Sequence, residues 1–157
     1  MEILFTKTGG DDHILSCKRK DGSVTWKHVS AFFMLHDLCH FAVETILPLK
    51  NGFYGMVAAG TDINDFDLPK EQRGFQLKDE AIFAEHLVNL LAIEYTQGRM
   101  ENFIEIFTSI YDGHVISNQA LQINETKLDE IRIVYKELME KWYSLPVNET
   151  MKLTFDE

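Results

Sequence analysis

The 157-residue sequence has no long apolar run and no leader-like beginning. A helix that crosses a bilayer needs ~20 consecutive apolar residues, and no segment approaches that length. The first residues, Met-Glu-Ile-Leu-Phe-Thr-Lys, have neither the basic start nor the apolar core of a secretory signal peptide. These absences predict no membrane partner and a cytoplasmic location.

Cysteine is scarce, since Cys17 and Cys39 are the two in the chain. Two scattered cysteines without a CxxC motif exclude a disulfide framework, a thioredoxin-like site and a zinc ribbon. Both are expected to be reduced thiols. Cys39 falls on the core side of a predicted helix, where apolar surroundings raise the pKa of a thiol and leave it inert. We therefore expect no nucleophilic triad.

Basic residues are also few, because 15 Lys and Arg stand against 25 Asp and Glu, for a net charge of −10. Nucleic acids and anionic membranes are bound by clustered Lys and Arg. The densest basic cluster, residues 18–20, lies in a predicted turn, where it is expected to be solvated. The charge balance predicts that nucleic acid is not a partner.

The N-terminal part of the sequence has the alternation of a small sheet. Three alternating segments are separated by the turn-forming stretches TGGDD and KDGS, and they read EILFTK, HILSCKR and SVTWKHV. Asp-Gly between such segments is the strongest short-range hairpin signal. In the third segment Val24 and Trp26 share one face. A further strand, MKLTF, is predicted near the C-terminus, where it can join this sheet.

Helical periodicity follows, in four longer segments. They are predicted to cover about 30–46, 79–96, 100–111 and 126–145. Ser30 is the expected N-cap of the first, with His36 as the alternative start, and Thr126 with Asp129 is the expected capping box of the last. A short helical turn is expected in FYGMVAAG. The chain is thus predicted to be a single α+β domain, residues 1–157, with an antiparallel N-terminal β-meander packed against about four helices.

The stretch LHDLCHFAVE, residues 35–44, concentrates chemistry on the first helix. At ~100° per residue, Asp37, His40 and Glu44 lie within about 60° of one another, opposite the core stripe, and His36 lies beside them. A solvated helix face would account for four polar residues. Solvated faces, however, favour Lys, Glu and Gln, and apolar residues crowd the edges of this one. We expect another element to cover it.

Two metal-ligand groupings are open on this helix. His36 and His40, four residues apart, can both reach a metal ion, but they need a third ligand from elsewhere. That ligand is not Glu44, because eight residues place it ~12 Å from His36 along the axis. Alternatively, His40 and Glu44 bind the ion and Asp37 orients His40. We favour this second grouping, since its three residues form the tightest cluster.

The motif HDLCH resembles the HExxH signature of zinc metallohydrolases, with Asp37 where that family has glutamate. The resemblance implies that His36 and His40 are zinc ligands and that Asp37 is the base that activates a bound water. It covers five residues, and the aspartate is one methylene shorter than the family's glutamate. The longer stretch HDLCHFAVE…GFYGMVAAG is similar to a pattern of a family of small bacterial proteins, which implies no activity.

Two residues of the second long helix are further metal-ligand candidates. Glu94 falls among leucines near the centre of an apolar face, where a carboxylate is costly unless it is paired or bound to metal. His86 lies on the flank of the same face. The alternative interpretations need no metal: Glu94 pairs with Arg99, and His86 is a partly buried histidine with ordinary hydrogen bonds. This helix is apolar nearly all round, apart from a narrow polar strip that includes Glu85, so it is expected to be central and to contact both the first and the fourth helix.

Other motifs are excluded. GMVAAGTD lacks the lysine of a P-loop, and the aspartates at 62, 65 and 67 lack the spacing of a calcium loop. The function predicted first is therefore a metal-binding protein, with zinc or another divalent metal, as a zinc-dependent hydrolase in which Asp37 or Glu44 is the base. The rival is a non-catalytic interaction or homodimerisation module that uses Phe53 and Tyr54. The third is a small-ligand pocket lined by Trp26 and Phe33.

Overall fold

A computed structural model describes residues 1–111 and 122–156 of the chain. Within those residues it has four strands, five α-helices and two short 3₁₀ helices, which confirms the α+β class. In chain order the elements are β1 (Glu2–Thr6), β2 (Asp12–Lys18), β3 (Val24–Ser30), α1 (Ala31–Ile46), α2 (Phe53–Ala58), the 3₁₀ helices Ile63–Asp67 and Lys70–Gln72, α3 (Asp79–Gln97), α4 (Phe103–Tyr111), α5 (Glu125–Ser144) and β4 (Thr150–Thr154).

The four strands form one antiparallel sheet with the order β3-β2-β1-β4. β4 pairs with β1 in a register that sets Met151 opposite Phe5, so the C-terminal strand joins the meander as expected. The Asp-Gly hairpin is also confirmed, because Gly22 connects β2 to β3 with a φ of 86°. This left-handed conformation costs glycine nothing sterically. The inner face of the sheet contributes Ile3 and Leu15, both fully buried, to the core.

The outer face of β3 is apolar and exposed. Val24 and Trp26 share a face as predicted, but 54% and 53% of their surfaces are open to solvent. Thr25, on the opposite face, is buried. Its hydroxyl accepts a hydrogen bond from the N–H of Ile63 at 3.1 Å, and Asn64 donates to the carbonyl of Trp26 at 3.1 Å. The first 3₁₀ helix therefore covers the edge of β3.

Helix α1 is the central helix of the fold. The hydroxyl of Ser30 accepts a hydrogen bond from the N–H of Phe33 at 3.4 Å, so the helix begins at Ala31 and the alternative start at His36 is wrong. It packs against β2 and β3 on one side and against α2, α3 and α5 on the others. All residues 37–44 are consequently buried. Helix α3 contacts α1 and is linked to α5 by an ion pair between Glu94 and Arg132, which confirms the contacts expected of it.

The remaining helices differ from the predictions mainly at their ends. The helical turn expected in FYGMVAAG is present as α2, and α3 runs almost as predicted. Helix α4 begins at Phe103, three residues later than expected. The capping box at Thr126 is wrong, because the side chain of Asn124 accepts a hydrogen bond from the N–H of Lys127 at 2.9 Å and starts α5 two residues earlier.

Both cysteines are free thiols in the core, as expected. Burial raises the pKa of the Cys39 thiol, which makes it a poor nucleophile. Among the described residues, no helix combines the length and the apolar character needed to cross a membrane.

A buried ion pair links α3 to α5. Glu94, 7% exposed, accepts hydrogen bonds from Nε of Arg132 at 2.7 Å and from Nη2 at 2.6 Å. It also accepts one from the N–H of Met100 at 3.0 Å. The expected pair between Glu94 and Arg99 is wrong, because Arg99 forms an ion pair with Asp129 instead. Glu94 is satisfied within this pair, which explains a carboxylate on an apolar helix face.

We expect Arg132→Met to destabilise the protein by about 3–5 kcal/mol, because it leaves the carboxylate of Glu94 buried without a cation. Urea denaturation measures this loss, and Lys136→Met on the exposed side of α5 is the control, with a change within about 0.5 kcal/mol. Replacing Glu94 by Gln in the same variant should recover part of the loss. Equal stabilities of the Arg132 and Lys136 variants would contradict the role of the pair.

Candidate metal centre

The polar face of α1 is covered, as its composition indicates. Asp37 is 9% exposed, His40 4% and Glu44 1%. The covering elements are α2, which packs on α1, and α3, which runs alongside it. Phe53 and Tyr54 of α2 lie over this face, with the ring of Phe53 5.6 Å from that of His40 and the hydroxyl of Tyr54 donating to the carbonyl of Asp37 at 3.0 Å.

Glu44 anchors this arrangement, because its carboxylate is the N-terminal cap of α2. Gly52 precedes α2 and has no side chain for capping. Glu44 instead accepts hydrogen bonds from the N–H groups of Phe53 and Tyr54, each at 2.9 Å. A carboxylate is favoured there by the partial positive charge of a helix N-terminus. The same carboxylate also accepts a hydrogen bond from Nδ1 of His40 at 3.0 Å.

His40 lies between two carboxylates from different helices. Its Nδ1 faces Glu44, and its Nε2 lies 3.1 Å from Oε2 of Glu85 on α3. Burial alone would disfavour the charged ring, but the hydrogen bonds and charges of Glu44 and Glu85 outweigh it and raise the pKa of His40 to about 10. The hydrogen bonds from His36 and His40 lower the pKa of Glu85 well below its usual range.

His36 completes the group one helical turn before His40. Its Nε2 lies 3.6 Å from Oε1 of Glu85, and its Nδ1 lies 3.9 Å from the carboxylate of Asp37. Burial opposes the charge of His36, yet the nearby carboxylates of Asp37 and Glu85 raise its pKa on balance. One ligand atom from each of His36, His40 and Glu85 lies within 4.8 Å of the others. These three residues could hold a metal ion.

The structure brings some of the predicted site residues together and leaves others apart. His36 and His40 belong to the group, and Asp37 lies beside His36. Glu44 contacts Nδ1 of His40, whereas Glu85 contacts Nε2, so Glu44 holds the ring of His40 without being part of the group. His86 packs edge-on against Tyr111, with ring centroids 6.0 Å apart, and Glu94 is engaged with Arg132, so neither belongs to this cluster.

Glu85 is the member that sequence reasoning missed. It belongs to the narrow polar strip of an otherwise apolar helix, and 51% of its side chain is exposed. The strip was the signal, because a polar residue on a packed helix marks either solvent or a polar partner. That Glu85 is the partner of His40 depends on how α3 packs on α1, which brings the two side chains to the same level. Residue spacing within a single helix carries no information about this packing.

A cavity of about 600 Å³ opens in front of the group. His36, Asp37, His40 and Glu85 line one wall of it. The other walls are mainly apolar but also contain charged side chains. They come from β3, α1, α2, the region of the 3₁₀ helices and α3, and they include Lys27, Phe33, Phe53, Phe66, Asp67, Arg73 and Leu77. Of the two residues expected to line a small-ligand pocket, Phe33 lines this cavity and Trp26 does not.

The surface proposed for an interaction module is largely internal. Tyr54 is fully buried, and Phe53 lines the cavity while packing on Tyr54 and Phe66. The exposed large aromatics of the described residues lie elsewhere and include Trp26, Phe32 and Phe33, which are 53%, 64% and 56% exposed. The location expected for the interaction surface is thus wrong, because α2 turns its aromatic side chains inward onto α1.

Comparisons of the chain with protein-family models, with curated proteins and with solved structures find no match. The resemblances to the zinc-hydrolase signature and to the bacterial pattern therefore stay predictions. Any assignment of function has to rest on the geometry of the group formed by His36, His40 and Glu85 and on the cavity in front of it.

We expect Gly52→Ala to disturb this group through Glu44. A Cβ atom at position 52 would lie 2.4 Å from Oε2 of Glu44, so the carboxylate must move away from α2. The loss should be about 1–3 kcal/mol in free energy of unfolding, as for other overpacked sites, measured by urea denaturation. Gly74→Ala is the control, because no atom lies within 4 Å of a Cβ there. If the two variants are equally stable, Glu44 does not depend on the space at Gly52.

Proposed function

We propose that the chain binds a divalent metal ion, zinc in the first place, through His36, His40 and Glu85, and that the ion serves hydrolysis. The observation that carries this proposal is the convergence of two imidazoles and one carboxylate on the wall of a cavity, with ligand atoms within 4.8 Å of one another. A cavity beside the ligands gives a substrate direct access to the ion.

The kind and spacing of the donors support the proposal. Two histidines and one carboxylate form the ligand set of catalytic zinc sites that keep a fourth position open. Tetrahedral bonds of ~2.1 Å place neighbouring donors ~3.4 Å apart. Oε2 of Glu85 lies 3.1 Å from Nε2 of His40, and Oε1 of Glu85 lies 3.6 Å from Nε2 of His36. One donor atom from each of the three residues lies within 4.8 Å of the others, so the side chains would draw closer around the ion. Iron(II) is the alternative ion, because the same ligand set binds it in oxygenases.

Glu44 would orient the ligand His40. Because Nδ1 of His40 donates to Glu44, Nε2 is the nitrogen left for the ion. Carboxylate–histidine pairs of this kind fix the tautomer and the direction of a ligand ring. The three hydrogen bonds to Glu44 hold its carboxylate in place and give it a supporting role. The first of the two sequence groupings, with its third ligand from elsewhere, is therefore the one that we adopt.

Asp37 would be the general base. A bound divalent ion lowers the pKa of water and polarises a carbonyl or phosphoryl oxygen of a substrate. Asp37 lines the same cavity as the ligands, so its carboxylate can accept a proton from water there. Glu44, the other candidate base, accepts hydrogen bonds from the N-terminus of α2 and does not line the cavity.

A second candidate function, the non-catalytic interaction module, is favoured by one observation. Phe32 and Phe33 project from the first turn of α1 with 64% and 56% of their surfaces exposed, and their rings contact each other. Exposed aromatic pairs of this kind are common in protein interfaces. A metal-free protein that elutes as a stable dimer would favour this alternative.

We expect purified protein to bind one zinc ion per chain and Glu85→Gln to weaken zinc binding by more than about a hundredfold, because a charged ligand is lost. Glu44→Gln should weaken it by about 10–100-fold, as for other residues that orient a ligand. Competition titration with a chelating dye measures the affinity, and elemental analysis measures the stoichiometry.

Glu105→Gln is the control for these variants, since Glu105 is exposed on α4 and lies outside the group. Glu85 is itself half exposed, so its replacement by Gln should leave the fold intact. Zinc binding that is equal in the Glu85 and Glu105 variants would contradict the proposed ligand set.

We expect zinc-dependent hydrolysis of an activated ester or phosphodiester, with 4-nitrophenyl acetate and bis(4-nitrophenyl) phosphate as substrates. Asp37→Asn should lower kcat about 10²–10⁴-fold without loss of zinc, because the proton acceptor is removed. Asp11→Asn, in an exposed turn, is the control. A zinc-loaded protein that hydrolyses neither substrate faster than free zinc would count against hydrolysis of these two bond types.

A further inference from the structure

A second cavity adjoins the one that contains the candidate metal centre. Its volume is about 740 Å³, and it shares Arg73 and Leu77 with the first cavity. Phe75 and Ile82 give it apolar walls, and Lys70 also lines it. The two cavities therefore meet at one arginine and one leucine.

The second cavity is basic although the chain is acidic. Lys70 and Arg73 line it, and no carboxylate of the described residues does so. The full sequence, however, carries a net charge of −10. In the first cavity, by contrast, Lys27 is paired with Asp67. Cations in a concave site that no carboxylate lines attract and bind anions.

Arg73 is held in place for such a role. Its Nε donates to the carbonyl of Leu68 at 2.8 Å, and its Nη2 donates to the carbonyl of Phe66 at 2.9 Å. Both acceptors are neutral, so these bonds fix the guanidinium without cancelling its charge. A planar guanidinium that is already fixed loses little freedom on binding and suits a carboxylate, phosphate or sulfonate.

A row of aromatic rings connects the two cavities. The ring centroids of His40 and Phe53 are 5.6 Å apart, those of Phe53 and Phe66 are 4.8 Å apart, and those of Phe66 and Phe75 are 4.9 Å apart. Phe53 and Phe66 line the first cavity, and Phe75 lines the second. An apolar stripe thus leads from the metal ligands to Lys70 and Arg73.

We propose that Arg73 and Lys70 bind the anionic end of an elongated small molecule whose apolar, preferably aromatic, body lies along Phe53, Phe66 and Phe75. Its reacting bond would lie at His36, His40 and Glu85, and this part of the inference rests on the proposed function. The anionic group could be a carboxylate, a phosphate or a sulfonate, since all three match the same cations. Arg73 is then a residue that determines specificity.

The test compares two dyes that share an aromatic body and differ in charge, 8-anilinonaphthalene-1-sulfonate and the neutral N-phenyl-1-naphthylamine. Fluorescence titration of the metal-free full chain should give a dissociation constant at least about tenfold lower for the sulfonate, because charge-assisted hydrogen bonds add to apolar contact. Lys70→Glu and Arg73→Gln should each weaken sulfonate binding about tenfold and leave the neutral dye unaffected.

Lys136→Glu is the matched control for Lys70→Glu, since it makes the same change of charge on an exposed face of α5 and should leave both dyes unaffected. Lys70→Glu keeps the test decisive if Arg73→Gln disturbs the loop that Arg73 holds. Equal affinities for the two dyes, or equal effects of the Lys70 and Lys136 variants, would overturn the anion site. The dyes are titrated without metal, so this test is independent of zinc binding. If the sulfonate binds as expected but Glu85→Gln binds zinc as tightly as the unchanged protein, the metal centre is rejected and the anion site is not.

Discussion

The candidate site depends on the hydrogen bonds that the buried carboxylate of Glu44 accepts. This carboxylate caps α2 through Phe53 and Tyr54 and at the same time accepts a hydrogen bond from His40. The same carboxylate therefore both caps α2 and orients the ring of His40. Because Gly52 must approach Glu44 without a side chain, the loop between α1 and α2 is fitted to the same carboxylate. The cost of burying Glu44 is offset by its three hydrogen bonds.

The electrostatics of the group follow from the position of His40 between two carboxylates. Glu44 and Glu85 both favour a positive charge on or beside the ring, and His36 adds a second imidazole to Glu85. The raised pKa of His40 favours a second proton on the ring. A metal ion at Nε2 has to replace that proton, because only an unprotonated nitrogen can be a ligand. In the proposed site a proton and a metal ion would therefore compete for Nε2 of His40.

Local patterns predicted most of the fold and two of the three residues of the candidate site. The alternation of β1 to β3, the Asp-Gly turn and the cap at Ser30 depend on residues a few positions apart, and the structure confirms them. Helical spacing likewise placed His36 and His40 together. Glu85 comes from another helix, 45 residues after His40, and its place depends on how α3 packs on α1. The exposure of Trp26 and the Glu94–Arg132 pair escaped prediction for the same reason, since tertiary packing decides both.

The spacing of His36, His40 and Glu44 has a consequence for how this protein can vary. The three side chains follow one another at intervals of one helical turn, and every residue from 37 to 44 of α1 is buried. Inserting or deleting a single residue between them would rotate the rest of the helix by about 100° and shift it by about 1.5 Å. Homologous chains that retain this chemistry should therefore vary in amino-acid type along α1 but keep its length, and insertions should collect in the loops.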